Sequence, residues 1–187
     1  MVKINQKVAD FKLEAYHNDK IKTINLTDYR GKWVIVMFYP ADFTFVCPTE
    51  LEELASLYDD FKKLGAEVFS ISTDTVYAHK AWHDQSPAIK NVNFPMLADP
   101  TGNVSREFGV YIEEEGLALR GSFIIDPNGM LKAYEIHDNS IGRSAKELLR
   151  KLQAAMFVEK HKGQVCPASW EPGSDTLKPG LDLVGKI

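Results

Sequence analysis

The sequence has few cysteines, no long hydrophobic run and no excess of basic charge, and each shortage removes a class of function. Lys and Arg total 22 against 26 Asp and Glu, a net charge of -4. Nothing in that balance draws the chain to nucleic acid or to an anionic membrane surface, so neither is expected as a partner. The longest apolar run, Trp33–Tyr39, is far short of the ~20 residues needed to cross a bilayer. The opening residues Met1–Lys7 alternate apolar and polar, without the apolar stretch of roughly 7–15 residues that a secretory signal requires. A cytoplasmic location is the expectation. Internal repeats and low-complexity tracts are also absent. Hydrophobic residues make up 44% and charged residues 26%, a balance that fits one globular domain with its own core rather than disorder.

There are 2 cysteines, Cys47 and Cys166, and no local C-x-x-C. In a reducing cytosol a structural disulfide is disfavoured, which leaves a buried, metal-binding or redox-active role. If the two sulfurs pair, the fold or a second protomer must bring them together.

Three segments have the β-branched and aromatic content of strands: Trp33–Tyr39, Glu67–Thr73 and Ser122–Ile125. The last continues through the turn Asp126-Pro127-Asn128-Gly129 into Met130–Ile136, an antiparallel hairpin. Trp33–Tyr39 is continuously apolar, as a strand buried on both faces would be. After Pro48, Leu51, Leu54, Leu57, Tyr58, Phe61 and Leu64 recur at helical spacing, and Gly65 stands where a C-terminal cap belongs. Further helices are expected over Thr75–Gln85, Asn103–Phe108 and Ser144–Val158. The order β-α-β-α then β-β-α predicts a layered α/β sandwich with a central sheet covered on both faces. From Glu159 the pattern dissolves into an irregular Pro- and Gly-containing arm, ending in an apolar Leu181–Val184 expected to dock. The chain thus divides into a domain over 1–158 and an arm over 159–187.

Cys47 follows the buried strand and opens an amphipathic helix, with Pro48 suited to the first helical position. There the free N–H groups and the positive end of the helix dipole favour a thiolate, the nucleophilic form. The plain alternative is a buried structural cysteine. Pro40 alone reads as a strand terminator, and Thr44 alone as a turn hydroxyl.

Together, Pro40, Thr44 and Cys47 resemble the Pro-x-x-x-Thr-x-x-Cys signature of the peroxiredoxins, extending through Val46-Cys47-Pro48-Thr49-Glu50. Ala81-Trp82-His83, Arg120 before the strand at Ser122, Gly142-Arg143-Ser144 and Val165-Cys166-Pro167-Ala168-x-Trp170 are similar to further segments of that family. The closing Ser174–Leu177 and Leu181–Ile187 resemble the tail of the peroxidase component of bacterial alkyl hydroperoxide reductases. The resemblance covers nearly the whole chain.

It implies a thioredoxin-like three-layer sandwich with a central mixed sheet and a C-terminal arm. It also implies a typical two-cysteine peroxidase that needs no cofactor and no metal. Its substrates would be hydrogen peroxide and alkyl hydroperoxides, with peroxynitrite a further one. Cys47 would attack the peroxide and become a sulfenic acid. Thr44 and Arg120 would hydrogen-bond the thiolate and the peroxide oxygens, and Pro40 would shield the sulfur. Glu50 and Arg143 would orient the arginine network, with Trp82 packed nearby. Cys166 of a partner subunit would resolve the sulfenic acid as an intersubunit disulfide, after local unwinding of the Cys47 helix. The family further implies a homodimer, a decamer of five dimers, and recycling by an NADH-dependent flavoprotein disulfide reductase or by thioredoxin. Glu115-Gly116-Leu117-Ala118, in place of a Gly-Gly-Leu-Gly loop, and the lack of a terminal Tyr-Phe imply resistance to overoxidation.

Taken alone, Arg120 and Arg143 would be solvated surface charges, and Glu50 a helix-dipole partner. His79 and His83, four apart on one helix, could start a zinc site but have no evident third ligand. A holdase role through a ring is an alternative of another class. A thioredoxin-type oxidoreductase lacks its Cys-x-x-Cys.

Overall fold

The computed structural model describes residues 2–187. Along the chain run β1 (Lys12–His17), β2 (Lys20–Asn25), β3 (Trp33–Phe38), α1 (Cys47–Ser56), α2 (Tyr58–Lys63), β4 (Ala66–Ser72) and α3 (Val76–Gln85). They are followed by β5 (Met96–Ala98), α4 (Asn103–Phe108), β6 (Tyr111–Ile112), β7 (Leu117–Ala118), β8 (Arg120–Ile125), β9 (Leu131–His137) and α5 (Ala145–Lys160).

The main sheet has the order β2-β1-β5-β4-β3-β8-β9, while β6 and β7 form a separate pair. The pairs β3/β4 and β4/β5 are parallel and the others antiparallel, so the sheet is mixed. Each parallel pair needs a crossover, supplied by α1 and α2 in the first case and by α3 in the second. The central strands β3, β4 and β8 are buried at every position, and β3 accordingly reads as an apolar run rather than an alternation. Their side chains still divide by parity. Val34, Val36, Phe38, Phe69, Ile71, Phe123 and Ile125 join one core with Val104 and Phe108 of α4. Within it the rings of Phe38, Phe108 and Phe123 meet with centroids 4.8 to 5.7 Å apart.

The structure departs from the sequence pattern in three places. The helix expected from Leu51 to Leu64 is two helices, because Leu57 leaves helical geometry at φ -106, ψ 1. Ser56 Oγ donates to the Glu53 carbonyl at 2.6 Å, a back-bond of the kind that bends helices. The N-terminal hairpin β1/β2 is largely polar where it meets solvent, so no apolar run marks it. Its turn is Asn18-Asp19, both with positive φ (51 and 55), a conformation these residues tolerate. The three-residue β5 is too short to show a period. By contrast Gly65, at φ 75, ends α2 as a C-terminal cap, and Thr75 Oγ1 caps α3 by accepting from the Ala78 N–H.

By its contacts the chain divides into a unit ending at Ala145 and a second spanning Lys146–Ile187, which takes almost all of α5. In the second unit the arm is more ordered than an irregular tail. Val165 and Leu177 exchange backbone hydrogen bonds at 2.9 and 3.0 Å, closing the loop between them. The terminal Leu181–Leu183 forms a 3₁₀ turn, and Leu181 is 92% exposed in the single chain. Among the described residues no helix is long and apolar enough to cross a membrane.

The aromatic cluster sets a stability expectation. Phe123→Ala should cost about 3–5 kcal/mol, read as a lower denaturant midpoint at unchanged slope. A loss under about 1 kcal/mol would show that the three rings do not hold the α4 side of the sheet.

Candidate active site

Strand β3 delivers the chain into the centre of the fold, and α1 begins after the loop 39–46. Cys47 is itself the first residue of α1, with Val46 at the cap and Pro48 following. The proline thus sits one position further into the helix than expected, still within the first turn where an N–H is dispensable. Cys47 is fully buried. No side chain caps this helix end.

The sulfur's polar partner is Arg120, at the start of β8, whose Nη1 donates to Cys47 Sγ at 3.3 Å. The same Nη1 donates to Glu50 Oε2 at 2.7 Å, and Arg120 Nε donates to the Asn139 carbonyl at 2.9 Å. Arg143 grips the other side of the carboxylate. Its backbone N–H and Nε donate to Glu50 Oε1 at 2.7 and 2.9 Å, and its Nη2 donates to Oε2 at 3.0 Å. Its remaining Nη1 donates to Ser122 Oγ at 3.1 Å. Glu50, Arg120 and Arg143 are all buried, so neither arginine is a solvated surface charge.

Buried charge is tolerated only when paired and hydrogen-bonded, and here two guanidinium groups share one carboxylate. Glu50, Arg120 and Arg143 thus place two guanidinium charges and one carboxylate beside the sulfur, with Asp138 also within electrostatic range of Arg120. Burial pushes the Glu50 carboxyl up, but the hydrogen bonds and charge of Arg143, with the charge of Arg120, outweigh burial and hold it below the usual carboxylate range.

The loop between β3 and α1 is fixed by a buried polar chain of Tyr39, Asp42 and His79, by Asp74, and by packing on Trp82. Tyr39 Oη donates to Asp42 Oδ1 at 2.8 Å, and His79 Nδ1 lies 2.8 Å from Asp42 Oδ2. His79 Nε2 faces the Leu97 carbonyl at 3.1 Å, which can only accept, so that nitrogen carries a proton. Asp42 N–H donates to Asp74 Oδ2 at 2.8 Å. Burial drives the Tyr39 phenol and the Asp42 carboxyl up, His79 opposing the latter. Phe43 holds φ 56, a strained conformation for a bulky residue and one that persists only where its surroundings enforce it. Trp82 packs against both Tyr39 and Phe43, with centroids 6.1 Å away.

Pro40 is buried in this loop. Thr44 Oγ1 donates to the Ala41 carbonyl at 2.8 Å, so its proton is committed locally rather than to the sulfur. His79 and His83 do not converge: His83 lies 3.3 Å from Tyr16 Oη and 3.3 Å from the Val92 carbonyl. Among the described residues no group of three His, Cys, Asp or Glu side chains could hold a metal ion.

Cys166 belongs to the second unit, partly buried, its Sγ 3.9 Å from the Ala154 carbonyl of α5. Burial raises its thiol pKa, and the charge of Arg150 opposes that shift. Both cysteines are free thiols.

The geometry has close counterparts. A family model described as the AhpC/TSA family matches residues 4–134, and one described as the C-terminal domain of 1-Cys peroxiredoxin matches residues 154–184. Alkyl hydroperoxide reductase C of Staphylococcus haemolyticus (strain JCSC1435) is 52% identical over 186 residues, and that of Pseudomonas aeruginosa (strain UCBPP-PA14) is 50% identical over 184. In both cases 98% of each chain is covered. The crystal structure of Enterococcus faecalis AhpC superposes with a TM-score of 0.86 at 50% identity, over 89% of this chain and 100% of that one. Reduced Plasmodium vivax 2-Cys peroxiredoxin superposes at 0.91 with 35% identity, over 96% and 94%.

The depressed Glu50 carboxyl gives stability with a definite pH dependence. A group whose folded pKa lies below its unfolded value stabilises fully above about pH 4.3 and loses that contribution as pH falls toward the folded pKa. Glu50→Gln, which leaves two buried arginines short of an anion, should cost about 3–5 kcal/mol at neutral pH. The gap from wild type should narrow in acid. A gap that stays constant from neutral pH to about pH 3 would mean that the Glu50 charge is not what holds the cluster.

Proposed function

The chain belongs to the AhpC/TSA family and is a peroxiredoxin, a thiol-dependent peroxidase, and from that premise we propose that Cys47 is the thiol that reduces the peroxide. The observation that carries this assignment is the 3.3 Å contact from Arg120 Nη1 to the buried Cys47 sulfur at the start of α1. A guanidinium against a thiol, inside a cluster of two guanidinium groups and one carboxylate, is an arrangement built for an anion.

In the proposed reaction the thiolate attacks the nearer peroxide oxygen. An S–O bond forms, the O–O bond breaks, and water or an alcohol leaves after protonation. Charge develops on the departing oxygen, and Arg120, fixed by Glu50 and by the Asn139 carbonyl, supplies donors that need no reorganisation. Thr44, with its own proton on Ala41, offers oxygen lone pairs that can accept the peroxide O–H. Pro40 keeps water from the sulfur. Glu50 and Arg143 position Arg120, and Trp82 supports the loop through Tyr39 and Phe43.

Resolution is assigned to Cys166 of a partner subunit, giving an intersubunit disulfide. The family resemblance supports a homodimer and a decamer of five dimers, acting on hydrogen peroxide, alkyl hydroperoxides and peroxynitrite. It also supports recycling by an NADH-dependent flavoprotein disulfide reductase, with thioredoxin as the alternative donor. Two free thiols and a cycle that makes and breaks their disulfide suit a cytoplasmic setting.

Cys47→Ser should abolish peroxide consumption, and Arg120→Met should lower the rate of Cys47 oxidation by about 10²–10³-fold. Cys166→Ser should still reach the sulfenic acid but form no disulfide. Turnover retained by the serine variant at position 47 sinks the assignment. Recycling assays with each purified donor would decide between the two reductants.

A further inference from the structure

The segment carrying Cys166 is held by one side chain that the peroxide chemistry leaves unused. Arg150, on α5, donates from Nη1 to the Trp170 carbonyl at 2.8 Å. Its Nε and Nη2 donate in a fork to Glu147 at 2.7 and 2.8 Å, which fixes the plane of the guanidinium. Trp170 is 4% exposed, packs on Phe157 at 4.9 Å, and donates from its indole N–H to the Ser174 carbonyl. The backbone pair Val165/Leu177 shuts the base of the loop. Cys166 is thus seated on α5 by a loop that the Val165/Leu177 pair and the Thr176–Gln164 hydrogen bond close and that Arg150 ties to α5 through Trp170.

We propose that Arg150 is a positioning residue for the resolving step, seating the Cys166 loop through Trp170. The inference rests on the assignment of Cys166 as the resolving thiol. In that step the Cys166 thiolate attacks the Cys47 sulfenic sulfur. An S–S bond forms, the S–OH bond breaks, and the hydroxide leaves as water with a solvent proton. A nucleophile must be both deprotonated and placed, and the guanidinium bears on each requirement. The charge acting on Cys166 is that of Arg150, which lowers the thiol pKa against the upward push of burial, while Glu147 and Glu171 face Arg150 itself.

The test uses the full chain as wild type, Arg150→Met and Arg150→Lys. Each protein is reduced, mixed with an equivalent of hydrogen peroxide and quenched over time. Cys47 sulfenic acid and Cys47–Cys166 disulfide are counted by mass spectrometry from about pH 6 to about pH 10, the thiol range. Arg150→Met should slow disulfide formation near neutral pH on the order of tenfold, within the scale of loss that a small misplacement produces. Its pH profile should move to higher pH, because the cation favouring the thiolate is gone. Arg150→Lys should keep the wild-type profile while losing part of the rate, since it retains the charge without the fork. Wild-type rates and profiles in both variants overturn the proposal. So does an equal slowing of both with unmoved profiles, which would leave Arg150 a packing role only. If the wild type forms no Cys47–Cys166 disulfide, the assignment of Cys166 fails and the inference falls with it.

Discussion

A single buried carboxylate, Glu50, accepts hydrogen bonds from two arginines, and the contact of Arg120 with the Cys47 sulfur follows from that grip. Removing three charges from water costs several kcal/mol per ion, which only dense mutual pairing offsets. The pairing is dense here because α1 brings Glu50, β8 brings Arg120 and Ser122, and the segment before α5 brings Arg143 to one point. The helix start places Cys47 one turn before Glu50, so the guanidinium that satisfies the carboxylate also reaches the sulfur. Fold and chemistry share the same hydrogen bonds.

Above this rigid base lies a loop under tension. Phe43 at φ 56 is held by its neighbours, while the buried Tyr39–Asp42–His79 chain and the Asp74 carboxylate tie the loop to α3 and β4. In the proposed reaction, attack on a peroxide needs this closed arrangement, because a positioned thiolate and fixed donors do little if the sulfur drifts. The proposed disulfide would need the opposite, since a fully buried sulfur at a helix start has to come out to meet another. Backbone strain and an uncapped helix end lower the cost of that opening. The arm shows the same balance, with Cys166 in a loop clipped at its base yet only partly buried.

Local features of the sequence carried most of the fold. The run Trp33–Tyr39, the apolar spacing from Leu51 and Gly65 after the second helix all act within a few residues of themselves, and the structure follows them except that the helix from Leu51 breaks at Leu57. The β1/β2 hairpin carries no sequence period, because many of its positions face water and its turn, Asn18-Asp19, is defined by backbone angles rather than by hydrophobicity. Cys47 stood out because a strand, a proline and an amphipathic helix surround it in sequence. The partners of Glu50 lie 70 and 93 residues away, beyond the reach of any periodicity, and only the family motif suggested that they meet. Without it a buried arginine and a solvated one look alike. His79 illustrates the reverse case. Its i, i+4 spacing with His83 invited a metal, whereas its buried partner is Asp42, 37 residues earlier.

Everything in this mechanism depends on Cys47 being the sulfur that meets the peroxide, ahead of Cys166. Time-resolved trapping of sulfenic acid with dimedone, after a single equivalent of an alkyl hydroperoxide, tests this most directly. The adduct should form on Cys47 alone at the earliest times and give way to a Cys47–Cys166 disulfide as trapping is delayed. An adduct that appears first on Cys166, or on neither cysteine while peroxide disappears, would contradict it.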